Sequence, residues 1–240
     1  MPRLTITRRG ATAARWPLGV LKTGWDYLWR TTPMHRVDGA GAVPEDEPPP
    51  LPAGIDRSDH QGVEDGFGPL IHRRYAVRIK DARRTAGELI DAFAAVPNRA
   101  APKALGSFVK LKGEEGLLRV GDEFTVRMPG PWDGPVRVVE IMDGGFGLVT
   151  LGGHLEAGRI RFTADDLGPG CLEVRIEAWA RGGDRLSNIL FDRLPVNKEV
   201  QLHMWTSVLE RLIGLSGGTR DGRVDIATRR VDPAQLQYAR

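Results

Sequence analysis

The sequence predicts an α+β domain in which a curved antiparallel sheet wraps around a long C-terminal α-helix, between about Pro69 and Gly218. Three observations carry this reading. Short apolar-alternating runs are split by Gly and Pro turns, one capped amphipathic helix precedes most of them, and one long apolar run follows. With 41% hydrophobic and 27% charged residues, the 240-residue chain can bury one full core and still carry appendages.

Three composition regimes divide the chain. Residues 1–36 hold Arg3, Arg8, Arg9, Arg15, Lys22, Arg30 and Arg36 against Asp26 alone, with Trp16, Trp25 and Trp29. Leu18, Leu21, Trp25 and Leu28 recur at helical spacing, which predicts a basic, Trp-rich helical arm. Residues 37–68 reverse the sign, with Asp38, Glu45, Asp46, Glu47, Asp56, Asp59, Glu64 and Asp65 against Arg57. Together with Pro44 and Pro48-Pro49-Pro50, this predicts an extended acidic linker of polyproline character that buries little. Its charge lets it fold back on the arm or on the main domain.

The regular pattern begins at residue 69. His72–Lys80 alternates, with Tyr75, Val77 and Ile79 on one side and Arg74, Arg78 and Lys80 on the other. Thr85-Ala-Gly-Glu88 is a capping box, and Leu89, Ile90, Phe93 and Val96 continue it as a helix that Pro97 ends. Strand-like runs follow at Ser107–Lys112, Glu123–Met128, Val136–Met142, Phe146–Leu151, Gly158–Ala164 and Cys171–Trp179. Their even spacing predicts an antiparallel meander. In the last of them, Leu172, Val174, Ile176 and Ala178 form the core side, which puts Glu177 and Trp179 outside.

The long helical run starts near Asp184 and ends at Gly217-Gly218, with Pro195 expected to kink or break it. It is apolar on more than one face between Val200 and Ile213, so the sheet should cover it. Residues 219–240 read as a polar C-terminal tail with one strand-like piece at Val224–Thr228. A bent sheet gripping one helix leaves a cavity between them, apolar with a few fixed polar groups.

This order of elements, with Val120-Gly-Asp-Glu-Phe124 and Trp132-Asp-Gly-Pro-Val-Arg-Val-Val-Glu140, resembles the helix-grip superfamily. That group includes the START lipid-transfer domains, the birch-pollen-allergen proteins and the polyketide cyclases. More narrowly, Thr150, Leu151, Gly153, His154, Gly158 and Phe162 fit the signature of an uncharacterised family, domain of unknown function nineteen-ninety. Arg159 stands where that family has a Glu, so no acid role carries over to it. The segment Trp25–Arg36 is similar to an arm seen on actinobacterial members, and high Gly, Arg and Ala usage agrees with a GC-rich bacterial source. The resemblance spans roughly Leu70 to Leu215 and implies a fold, with no assigned activity.

Candidate site residues follow from these patterns. His154 and Glu156 stand two apart, so on a strand both reach one side. They form either an acid/base or ligand-anchoring pair, or a strand edge with a Gly152-Gly153 bulge and His154 bonded to backbone. Trp132 at a rigid Pro-Gly hairpin tip, with Arg137 and Glu140, reads as a cavity mouth or as a cap on the core. His203 and Trp205 would sit on the helix face meeting the sheet, as core or as ligand contacts. Two histidines and Glu156 could hold zinc or iron in principle, but the spacing is not that of a metal motif, and neither metal nor cofactor is expected.

A net charge of +3 gives no chain-wide basic field, so no nucleic-acid partner is expected. Arg8-Arg9 is followed by Gly10–Arg15 rather than by an apolar run, and Lys22, Asp26 and Arg30 interrupt every longer window. Neither export nor a transmembrane helix is expected. Cys171 is the only cysteine, which excludes an internal disulfide and fits a reducing cytoplasm. The resulting expectation is a non-catalytic binder of a small hydrophobic or lipid-like molecule. One alternative is a cyclase- or isomerase-type enzyme with His154 as general base and Glu156 or Glu140 assisting. The other is a protein-interaction module working through the arm, whose basic face also suits peripheral contact with a membrane.

Overall fold

The computed structural model describes residues 32–102, 106–127, 133–184 and 195–235. Nine strands form one mixed sheet: β1 (Met34–Ala40), β2 (Phe67–Lys80), β3 (Ser107–Lys112), β4 (Glu123–Arg127), β5 (Asp133–Met142), β6 (Gly145–Thr150), β7 (Glu156–Gly168), β8 (Cys171–Gly182) and β9 (Thr219–Val231). Their spatial order is β1-β9-β2-β8-β7-β6-β5-β4-β3. Two helices, α1 (Ala86–Ala95) and α2 (Pro195–Ser216), pack against the sheet from one side. The capping box works as the sequence predicts: Thr85 Oγ1 accepts from Glu88 N and Glu88 Oε2 accepts from Thr85 N.

Some expectations change, and others fall outside the described residues. Residues 219–231, read as a polar tail, form a central strand between β1 and β2, so α2 is not the last element. The alternation there (Val224, Ile226) is masked by Asp and Arg because only one face of β9 meets the core. Strand β1 pairs parallel to β9, so the sheet is mixed rather than antiparallel. Residues 1–31 of the arm and the expected helix start before Pro195 lie outside the described residues, while Met34–Arg36 at the arm's end is strand. Pro195 is the first residue of α2, where its missing N–H costs nothing.

The inner face of the sheet carries the core. Tyr75, Val77 and Ile79 of β2, Val174 and Ile176 of β8, Phe162 of β7, and Phe146 and Leu148 of β6 meet Leu89 and Phe93 of α1 and Leu202, Leu209 and Leu212 of α2. A bulge in β5 between Val138 and Glu140 breaks the alternation. Val138 and Val139 are consequently both buried, Val138 on the helix side and Val139 on the other face with Val149 and Leu151. Glu140, which simple alternation from Val138 would aim at the helices, faces outward. It lies across β6 to Arg161 on β7, with Nε–Oε1 at 2.5 Å and Nη2–Oε2 at 2.6 Å. A Cβ at Gly147 would stand 2.3 Å from Glu140 Oε1, so only glycine leaves that path open.

The acidic linker is not a solvated spacer. Residues 43–66 run as a strap across the outer face, where arginines receive it. Asp46 is fully buried; its Oδ2 accepts from Arg229 Nε and from Val43 N, both at 2.9 Å, and its Oδ1 lies 2.9 Å from His72 Nδ1. His72 Nε2 lies 2.9 Å from Glu177 Oε1, and the His72 ring stacks on Trp179 at 5.0 Å and 9°. Further along, the Pro49 carbonyl accepts from Arg159, and the Asp56 carbonyl accepts from Arg137 at 3.1 Å. Leu51 and Ile55 pack on Val139, Val149 and Leu151, and Val63 joins Leu70, Trp179 and Val231. Glu177 and Trp179 do stand on the outer face, but the strap leaves Trp179 only 3% exposed.

An imidazole flanked by two carboxylates must donate from both nitrogens, which is the protonated form. Burial alone would lower the His72 pKa, but hydrogen bonds to Glu177 and Asp46 outweigh it and hold it above 6.5. Burial likewise pulls Asp46 upward, and its bonds to His72, Val43 and Arg229 overcome that and hold it below 3.8. The linked stabilities have opposite signs. The His72 contribution is complete below its ordinary pKa and disappears as pH rises through the raised one. The Asp46 contribution is complete above 3.8 and fades as pH falls through the lowered one.

Thermal melts from pH 5 to 9 should therefore show the protein losing stability on the alkaline side, and His72→Gln should flatten that limb; an unchanged limb in the variant would remove His72 as its cause. Gly147→Ala should lower urea-unfolding stability by about 1–3 kcal/mol through displacement of Glu140, whereas Gly87→Ala in α1, with open space around its Cβ position, should cost nothing.

Candidate functional site

The polar groups that enter the helix–sheet interface come from β2, β7 and α2. Glu156 opens β7 with the same parity as Ile160 and Phe162, so its side chain faces the helices. Gln201 of α2 meets it there, donating Nε2 to Glu156 Oε1 at 2.5 Å, and accepts on Oε1 from Arg73 Nη1 at 2.5 Å. Arg73 fits on the inner face because its cross-strand neighbours are Ala178 of β8 and Thr228 of β9. Tyr75, two residues on and 1% exposed, lies in the fields of Arg73, Glu156 and Arg36.

One helical turn beyond Gln201, half-buried Trp205 packs edge-on to Phe162 at 5.6 Å. Phe162 continues the aromatic surface to Phe146 at 5.0 Å and Phe93 at 5.3 Å. The interface thus grades from a charged relay, Arg73–Gln201–Glu156, into an aromatic layer. Burial raises the Glu156 carboxyl above 4.5, and the Gln201 hydrogen bond and the Arg73 charge oppose that only in part. A neutral carboxyl is then the stable form at higher pH than for a solvated glutamate.

His154 borders this cluster but is committed to its own turn. Its Nδ1 accepts from Glu156 N at 2.9 Å, and its N–H donates to Leu151 O at 3.0 Å, with Gly153 at φ +91° shaping the loop. Gln61 of the strap ties the same loop down, donating Nε2 to the carbonyls of His154 at 2.8 Å and Glu156 at 2.9 Å. Burial drops the His154 pKa to about 4, so the ring is neutral at pH 7. Of the two sequence alternatives, the backbone-bonded one is the observed arrangement for His154, while Glu156 alone turns its side chain to the helices.

Other candidates separate. Arg137 faces outward beneath the strap, with Nε and Nη2 on Glu123 Oε1 at 3.1 and 2.9 Å, because it alternates with core residues Val136 and Val138. The cavity-mouth reading of Arg137 and the acid/base reading of Glu140 are corrected by that placement, since neither shares a face with Glu156. Trp132 lies outside the described residues. His203 is buried, and its carbonyl accepts from Ser207 Oγ at 2.6 Å. Two residues from both Gln201 and Trp205, it stands on a different side of α2 from them. His154, Glu156 and His203 are not assembled as metal ligands, and no group of three such residues occurs among the described residues.

Arg73 and Gln201 are absent from the sequence reading, and Tyr75 figures there only on the apolar side of its strand. A signal for Arg73 exists, since it shares parity with Tyr75, Val77 and Ile79 and so sits on the apolar side of an alternating strand. Gln201 interrupts an apolar run between Val200 and Leu202, which is the mark of a polar residue facing another polar residue inside.

No helix among the described residues is long and apolar enough to cross a membrane. No curated protein matches the chain. Solved structures with a similar outline include a hypothetical protein of Helicobacter pylori, at 12% identity and a TM-score of 0.46, covering 60% of this chain and 86% of that one. Norcoclaurine synthase of Thalictrum flavum is similar at 8% identity and a TM-score of 0.45, covering 64% and 91%. A START superfamily protein of Mycobacterium smegmatis is similar at 14% identity and a TM-score of 0.44, covering 62% and 98%. The signature built on Thr150, Gly153, His154, Gly158 and Phe162 lies within the stretch from 72 to 211 that matches a family described as a domain of unknown function (DUF1990), and the chain belongs to that family.

Proposed function

We propose that the protein binds a small hydrophobic or lipid-like molecule between α2 and the inner face of the sheet, without transforming it. The observation that carries this reading is the relay Arg73–Gln201–Glu156 set at the edge of an aromatic layer. Fixed polar groups beside apolar walls are how a protein orients an otherwise apolar guest. In this reading Trp205 and Phe162 contact the body of the ligand. Glu156 and Gln201 exchange their mutual hydrogen bond for one to a hydroxyl or carbonyl at its polar end. Reorganising two side chains that already face each other costs less than desolvating them afresh.

A catalytic role for His154 is less well supported. A base whose conjugate acid ionises near 4 removes protons poorly at neutral pH, and its Nδ1 is occupied by its own turn.

Native mass spectrometry of protein purified from cells should reveal a co-purified mass in the small-lipid range, and lipids should displace a bound hydrophobic dye. Trp205→Ala should weaken that displacement by roughly 10-fold, equivalent to ~1.4 kcal/mol of apolar contact. Glu156→Gln should leave the fold intact and abolish the pH dependence of binding that the raised Glu156 carboxyl imposes. Absence of both a co-purified mass and dye displacement would refute the proposal.

A further inference from the structure

Thr228 of β9, Arg73 of β2, Ala178 of β8 and Ile160 of β7 form one row across the inner face of the sheet. All of them are half-buried. In the next row inward, Ile226, Tyr75, Ile176 and Phe162 are between 0% and 4% exposed. The inner face is therefore closed at the second row and open at the first, and a guanidinium stands in the open row. Its flanking side chains, Ala178 and Thr228, are both small.

Arg73 has no counter-ion of its own. Its Nη1 donates to the Gln201 amide oxygen at 2.5 Å, and no carboxylate among the described residues pairs with the guanidinium. Glu156 reaches it only through the same amide, whose Nε2 donates to Glu156 Oε1 at 2.5 Å. Burial favours the neutral form of that carboxyl, in which it is also a donor. The other charges described at this end of the inner face balance one another. Register puts Arg36 and Asp38 of β1 and Arg230 of β9 on the inner side, and Asp184 follows β8; all are exposed. The case for a charged partner thus rests on Arg73 itself and not on any regional excess.

A guanidinium in an open row beside apolar walls selects among polar head groups. A carboxylate accepts two parallel N–H bonds from an arginine, and the Gln201 amide and a protonated Glu156 are donors for its remaining lone pairs. A hydroxyl or an ester accepts more weakly and leaves the cation uncompensated once water is displaced. We infer that the polar end of the ligand is a carboxylate held by Arg73, which makes the ligand a monocarboxylic acid of fatty-acid type. This inference rests on the binding reading above and narrows it. The hydrocarbon would lie along Ile160 and along half-buried Trp205, one helical turn from Gln201.

Displacement of a bound hydrophobic dye at pH 7 by dodecanoate, dodecanol and methyl dodecanoate separates the head groups at constant chain length. Dodecanoate should bind on the order of 10-fold more tightly than either neutral analogue. Arg73→Gln keeps hydrogen-bond donors but removes the charge, and it should erase that preference. Should this variant fail to fold, Arg73→Lys, which keeps the charge without the planar fork, should reduce the preference several-fold. Equal displacement by all three compounds in the wild type would overturn the carboxylate assignment and leave the binding reading standing. An undiminished preference in either folded variant would overturn the assignment as well, since another group would then hold the head. Failure of all three to displace the dye would overturn both.

Discussion

A sheet of this width has two faces to keep from water, and the whole molecule is organised by how differently it does so. The inner face is closed by apolar contact with two helices, a non-directional interaction that tolerates shape but not polarity. The outer face is closed by a strap with almost no regular structure, which must be held by directional bonds. Asp46 with its partners His72 and Arg229 is the centre of that second closure. Removing one member of such a buried set costs about 3–5 kcal/mol, because the others remain buried and uncompensated. The strap's Asp46 carboxylate and its Pro49 and Asp56 carbonyls are therefore the complement of an arginine-lined surface.

The bulge at Val138–Glu140 is where the two closures meet. By spending one extra residue, β5 supplies a core valine to each face and still sends its carboxylate outward to Arg159 and Arg161. Gly147 gives that carboxylate its route. On the inner face the polar set of Glu156, Gln201 and Arg73 gathers beside the aromatic layer, while the buried Lys110–Asp122 pair stands at the far end of the sheet over Phe124. The aromatic layer next to the first set is what makes that end chemically distinctive. In the proposed binding reading, a relay beside Trp205 and Phe162 orients the guest, whereas a polar group in the middle of the core would only weaken it.

Much of this architecture is legible in the sequence. Alternation and Gly-Pro punctuation locate β3 to β8 to within a few residues, and Thr85 with Glu88 announces α1. What alternation cannot supply is a partner for a charged residue. Arg137 and Glu140 look alike as candidates for a cavity, and only the strap and the arginines beneath it explain why they are buried elsewhere. The proline-rich acidic segment is compositionally indistinguishable from a disordered linker, because its anchors are one carboxylate and several backbone carbonyls rather than a run of apolar side chains. The register shift in β5 is equally silent, since Val138-Val139 reads as ordinary strand. On the helix side, Glu156 was visible by its spacing, while Gln201 and Arg73 acquire meaning only once β2, β7 and α2 are brought together.

The position of β9 has a further consequence for how the chain matures. Among the described residues the sheet's first strand pairs only with its last: Met34 aligns with Val224 and Ala40 with Arg230. During synthesis β1 must wait, unpaired, until residues 219–231 have left the ribosome, and β2 keeps one bare edge for the same interval. Pairings so distant in sequence close slowly. A chain cut at Gly218, where composition suggests that the domain ends, would leave that edge permanently open to strands of other molecules.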